Sequence, residues 1–119
     1  MALTKSVQAI TELTASGTSG ALAIGTSYTD PACYRLYNGT SGTPTTAATA
    51  QLQGKANGGT YFYNIGPLIS GDLTTSSVIT GAVPVPDGFN SLQWVYTAPS
   101  GGSVTGYTFD SETPTITGI

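Results

Sequence analysis

The side chains able to do covalent or acid-base chemistry are few. The chain of 119 residues has one cysteine, Cys33, and no histidine. Without an imidazole, neither Cys33 nor any serine has the usual group that takes up a proton at neutral pH. A Ser-Lys pair would have to use Lys5 or Lys55. Cys33 sits in an alternating stretch and reads as a buried or half-buried structural thiol. A single cysteine also excludes a disulfide within the chain. Among the acids, Asp110 and Glu112 are two apart and would face one side of a strand. They would supply half a cation site, or a glycosidase pair with Asp72 or Asp87. Calcium, however, recruits six to eight oxygens, often from a recognisable loop, and no such loop is present. Solvated acids at a strand end are the better reading. Gly101-Gly102 lacks the Gly-Lys-Ser continuation of a phosphate loop. No catalytic, cofactor-binding or metal-binding residue is therefore assigned, and no enzymatic activity is expected.

The aromatic residues are the remaining candidates. Tyr28, Tyr34, Tyr37, Tyr61, Tyr63, Tyr96 and Tyr107, with Trp94, would be able to line a sugar-binding groove. Their period-two placement assigns most of them to core or interface, because a small sandwich needs large side chains to fill it.

Composition narrows the class further. Charged residues make up 8% of the chain, with three cations against six acids and a net charge of −3. Three cations cannot neutralise many phosphates, so nucleic acid is not an expected partner. Threonine, serine and glycine take the place of charge. Low charge with abundant aromatic and β-branched residues argues for a packed β domain rather than disorder. A weakly charged surface suits a protein packed against other copies or a partner. Met1 to Leu13 carries Lys5 and Glu12 and has no continuous apolar run, so it is not read as a signal peptide. No stretch approaches the roughly 20 apolar residues of a spanning helix, so no membrane partner is expected. Asn38-Gly39-Thr40 matches a glycosylation acceptor and is read as a turn.

The elements that must position these residues are strands. Ser91 to Thr97 places Leu92, Trp94 and Tyr96 on one face. Thr60 to Ile65 places Tyr61, Tyr63 and Ile65 together. Ala32 to Tyr37 sets Tyr34 and Leu36 against Cys33, Arg35 and Tyr37. Thr49 to Lys55 sets Ala50 and Leu52 against Gln51, Gln53 and Lys55. Val104 to Asp110, Ala21 to Ile24 and Thr75 to Val83 alternate likewise. Turn chemistry separates these runs, including Asn38 to Pro44, Gly66-Pro67, Pro84 to Gly88, Pro99 to Gly102 and Thr113-Pro114. Asn57-Gly58-Gly59 is the best hairpin signal. Residues 1–14 are read as an edge strand or arm, with Leu3, Val7, Ala9 and Leu13 on one face. Gly39 to Ala50 is read as a long mobile loop. Thr113-Pro114 is expected to break a strand, leaving 113–119 as a β-rich tail that closes its own sheet or adds to a neighbour's.

Three segments together carry a resemblance. They are Ala50 to Tyr63 (a strand, a glycine turn and an aromatic strand), Val83-Pro84-Val85-Pro86-Asp87-Gly88, and Leu92-Gln93-Trp94-Val95-Tyr96. In this order the chain, over roughly Ala21 to Glu112, resembles a loose group of small β-rich accessory head proteins of tailed bacteriophages, the capsid decoration or cement proteins. It departs from them at Phe62, where tryptophan is expected, and at Asn57, where aspartate is. Both changes preserve core and turn. The resemblance implies a virion role on the outer head surface after synthesis in a host cytoplasm. It implies the major capsid protein or another virion protein as partner, and homo-oligomers, with a trimer at threefold positions expected.

The expected fold is thus all-β: residues 1–119 as a single-domain antiparallel β-sandwich, jelly-roll-like, with about eight strands. Trp94, Leu92, Tyr96, Leu36, Leu52, Ile79 and Phe109 should be buried. Partner contacts are expected at Leu3, Lys5 and Val7, at Tyr37, Thr43 and Thr45, and at Thr115, Ile116 and Ile119. No cofactor is expected. A tail, neck or fibre component of the same particle is the alternative, and a carbohydrate-binding module using Tyr61 or Tyr63 is a second.

Overall fold

The computed structural model describes residues 4–23, 28–56, 58–74, 76–86, 88–102 and 104–117. Leu3 and Ile119, both expected at an interface, lie outside the described residues. All regular structure among those described is β. The strands are β1 (Thr4–Leu13), β2 (Gly17–Thr18), β3 (Leu22–Ala23), β4 (Tyr28–Thr29), β5 (Ala32–Tyr37), β6 (Thr49–Ala56), β7 (Tyr63–Ser70), β8 (Val78–Val83), β9 (Phe89–Thr97) and β10 (Thr108–Thr117).

They form two antiparallel sheets. One runs β1-β10-β5-β8 with β4 also on β10; the other runs β2-β9-β6-β7 with β3 also on β9. Leaving aside the two-residue β3 and β4, the pairs nest. β1 pairs with β10, β2 with β9, β5 with β8 and β6 with β7. This is a long hairpin folded over on itself, the jelly-roll arrangement. The eight nested strands match the sequence expectation.

Alternation explains the core. β9 buries Leu92, Trp94 and Tyr96, β6 buries Ala50 and Leu52, β5 buries Ala32 and Leu36, and β10 buries Phe109. The sheets are joined by aromatic contacts. The Trp94 ring meets Phe109 edge-on with centroids 5.0 Å apart, Tyr96 stacks on Phe109 at 5.7 Å, and Tyr34 lies 5.9 Å from Trp94. Such pairs add about 0.5–1.5 kcal/mol beyond the area they bury. Ile79, expected in the core, is only partly buried, because β8 is an edge strand. Gly54 lies on the core face of β6, where a Cβ would strike the Phe89 ring at 2.8 Å. A glycine here lets Phe89 and Ile65 close over the end of the core.

Several turn signals are overrun by strands. Gly66-Pro67 lies inside β7 as a bulge. Two β6 steps, from Ala50 to Leu52, span four β7 steps, from Ile69 to Ile65. Gly66 takes φ +70°, and the Gln51 amide donates to the Ile65 and Gly66 carbonyls at 3.2 and 3.3 Å. Edge position and bulge together tolerate the missing Pro67 N–H. Thr113-Pro114 does not break its strand either. Pro114 sits within β10, and its carbonyl accepts from the Asp30 N–H at 3.0 Å. A strand residue's N–H and C=O point the same way, so the missing N–H faces the Asp30-Pro31 bend, where β4 and β5 are out of step. The 113–117 segment therefore closes its own sheet, between β1 and β4.

The hairpin after β6 is longer than the glycine signal suggested, since β7 starts at Tyr63. Tyr61 therefore precedes the strand and is 70% exposed, while Tyr63 keeps the face of Ile65, opposite Gly54, but at the end of the core, where it is 60% exposed. In β1 the expected apolar face is reversed: Ile10 is buried, while Val7 and Ala9 are exposed. A bulge between Ile10 and Leu13 brings Leu13 back against the core.

Candidate functional site

Three surfaces hold the polar and apolar groups that remain outside the core. The first is the outer face of the β1-β10-β5-β8 sheet. Because Ala32, Tyr34 and Leu36 turn toward the other sheet, Cys33, Arg35 and Tyr37 turn away from it. Cys33 is therefore exposed, contrary to its reading as a buried thiol; its Sγ lies 3.9 Å from the Pro31 carbonyl. Register places Asp110 beside Arg35 and Glu112 beside Cys33. The Arg35 guanidinium donates to the Asp110 carboxylate at 2.5 Å and lies 3.8 Å from Glu12. These groups line a depression of about 470 Å³. A second depression of about 280 Å³ continues from Arg35 to Tyr37, Val78 and Thr108. Asp110 and Glu112 do share a face, as expected from their spacing. Among the described residues no group of three potential metal ligands forms. Exposed ion pairs of this kind contribute about 0–1 kcal/mol. The face presents charge and hydrogen-bonding groups to solvent.

The second surface is the outer face of the other sheet. Gln93 donates its amide to Gln53 Oε1 at 2.8 Å, and Gln53 donates to Asn64 Oδ1 at 3.0 Å. One register row across β9, β6 and β7 thus forms an uncharged amide ladder. The alternation of Gln51 and Gln53 was visible in the sequence; the pairing of Gln53 with Gln93 was not, because pairing depends on strand order.

The third is the flank formed by edge strands β7 and β8 and the turn between them. Five of the six large apolar side chains found exposed among the described residues are strung along it: Tyr61 and Tyr63 at the hairpin end, Leu68 within β7, and Leu73 and Val78 at the opposite end, where Val78 also lines the second depression. The Lys55 ammonium stands 5.4 Å from the Phe62 ring centroid beside the two tyrosines. Sequence periodicity grouped Tyr61 and Tyr63 with Ile65 and left open whether they belong to core or interface.

The expected interface residues do not form one patch. Lys5, Val7, Thr115 and Ile116 lie where β1 and β10 pair near the chain termini. Tyr37, opposite Thr108, belongs to the other end of the sandwich, roughly 25–30 Å away along β10. Thr43 and Thr45 are exposed at that same end, in a loop that is tied down rather than loose. Ser41 bridges to Thr105 and Thr46 to Ser100, and the Thr45 N–H donates to the Ser100 carbonyl at 2.9 Å. Asn38 is buried, and its side-chain amide donates to the Thr74 carbonyl at 2.6 Å. Asn38 and Gly39 follow β5 without a turn, tied by the Asn38 N–H to the Ser77 carbonyl at 2.9 Å, and the chain bends at Thr40.

Fold and surface together define a jelly-roll sandwich with an acidic outer face and an apolar flank. Compared with known proteins, no family model, curated protein or solved structure matches the chain.

Proposed function

We propose that this chain is a structural virion protein that decorates the outer surface of a tailed-phage head and stabilises the capsid lattice. The observation that carries the reading is the apolar flank from Tyr61 to Val78 on a domain with so little charge. The resemblance over Ala21 to Glu112 supports it, and so does the sandwich, which gives a rigid body with surface on several sides. Binding many equivalent sites on a lattice gives avidity, so each contact can be modest. The major capsid protein is the proposed partner. The test is the copy number of the chain in purified particles, measured by quantitative mass spectrometry. Hundreds of copies per particle support the head shell. A dozen or fewer would move the chain to a tail, neck or fibre, and none would overturn the virion role.

A second reading rests on Tyr61 and Tyr63. Two exposed tyrosines near one hairpin are able to stack on sugar rings. Glycan-array binding that is lost in Tyr61→Ala and Tyr63→Ala variants would favour a carbohydrate-binding module.

A further inference from the structure

The outer faces of the two sheets differ in charge. Among the described residues, the carboxylates all lie away from the β2-β9-β6-β7 face. Glu12, Asp110 and Glu112 line the depression on the other sheet, Asp30 precedes β5, and Asp72 stands in the turn after β7. What the β2-β9-β6-β7 face carries instead is the row Gln93, Gln53 and Asn64, each amide held by its neighbour. Gln93 and Gln53 are half-buried, and Asn64 is exposed. An amide has two N–H donors and two acceptor sites, so each of the three keeps at least one of both kinds outside the ladder. The ladder already orders these side chains, which lowers the entropy a ligand must overcome on binding.

The next row along the strands, about 7 Å away, holds Ser91 and Lys55. The Lys55 ammonium stands 5.4 Å from the Phe62 ring centroid, which puts that ring on the same face. Lys55 is the one formal charge on this face among the described residues.

The donors and acceptors select the ligand. Phosphate, sulfate and carboxylate groups only accept, and ammonium groups only donate, so each would leave half of the row's groups unmatched. A hydroxyl does both, and the C–H face of a sugar ring packs on an aromatic ring. We propose that this face binds a neutral glycan, with hydroxyls on Gln93, Gln53 and Asn64 and one sugar ring on Phe62. The site is distinct from the one that rests on Tyr61 and Tyr63, since Tyr63 lies on the opposite face of β7. It is also independent of the virion reading.

The test places the full chain on an array of neutral polysaccharides (glucans, mannans and galactans) and polyanionic ones (pectate and heparin). Wild type is expected to bind neutral glycans, with a signal that changes less than about twofold between low salt and about 0.5 M sodium chloride, because no ion pair forms. Asn64→Ala, Gln53→Leu and Phe62→Ala are each expected to weaken binding roughly tenfold or more while keeping the wild-type circular dichroism. Asn64 is exposed, so its truncation separates lost binding from lost folding. Tyr63→Ala should bind as wild type does. Failure to bind any neutral glycan, binding confined to the polyanions, or ladder and Phe62 variants that bind as well as wild type would overturn the proposal. Loss in Tyr63→Ala with the ladder variants intact would overturn it too, and would leave the tyrosine reading standing.

Discussion

At one end of the sandwich the loops 38–48, 71–77 and 98–107 are laced to one another. The Thr40 N–H reaches the Thr105 carbonyl at 2.7 Å, the Ser76 N–H the Gly39 carbonyl at 2.6 Å and the Gly71 N–H the Ala48 carbonyl at 2.7 Å. Asp72 adds a turn in which its carboxylate accepts from the Thr74 N–H at 2.9 Å, which holds its pKa below the usual value. At the other end the 57–62 hairpin leaves Tyr61 and Tyr63 in solvent, and the one backbone bond tying it runs from the Gly59 N–H to the Ala56 carbonyl at 2.9 Å among the described residues. Loops of similar glycine, serine and threonine content thus serve two purposes. The laced end fixes the fold, and the aromatic end stays exposed.

Glycines give the sharpest contrast. Gly102 and Gly58 have φ of +66° and +78°. A Cβ on Gly102 would run into the Thr43 carbonyl, whereas one on Gly58 meets nothing within 4 Å. Gly102→Ala should cost 3 kcal/mol or more, as steric exclusion is added to left-handed strain. Gly58→Ala should cost about 1–2 kcal/mol, the strain alone. Urea unfolding of the two variants checks the difference, and equal losses would dissolve the distinction between the ends.

Asn38→Ala comes next. It strands the Thr74 carbonyl and should cost about 1–3 kcal/mol, read as a lower thermal midpoint. Ser76, the non-glycine residue with a positive φ of 63°, should give the opposite sign. Ser76→Gly is expected to stabilise by about 1 kcal/mol in the same assay.

Tyr96 sharpens the picture of the core beneath the laced end. Its hydroxyl is buried without a hydrogen-bond partner. Burial, helped by nearby Tyr107, raises its pKa to about 12. The folded state therefore holds this proton more tightly than the unfolded chain, whose tyrosines ionise near pH 10. The contribution is complete below pH 10 and is lost as the pH rises toward 12. Tyr96→Phe should remove this part of the alkaline loss and raise stability at pH 7 by up to about 1 kcal/mol. Denaturant titrations from pH 8 to 12 test both statements.

The smallest stability effects belong to the aromatic end. Tyr61→Ser and Tyr63→Ser should change stability by no more than about 0.5 kcal/mol, yet weaken co-sedimentation with purified particles. A large loss of stability instead would make these tyrosines structural.

The sequence made the sandwich legible where alternation was strict. Leu92, Trp94 and Tyr96 were placed correctly because β9 is central and flanked on both sides. It misled where an edge or a bulge altered the period. Val7 and Ala9 were turned outward by the register of β1, and Gly66-Pro67 and Pro114 were absorbed because neighbouring backbone bends around them. The pairing of Asp110 with Arg35, the Gln93-Gln53-Asn64 ladder and the lacing of 38–48 to 98–107 depend on which strands and loops become neighbours. No local spacing encodes that.

The most direct test of the proposed role is immunogold electron microscopy of particles purified from the source of this chain, with an antibody against it. Dense label over the heads is the predicted result. Label confined to tails, necks or fibres, or no label while the protein is present in the lysate, would contradict it.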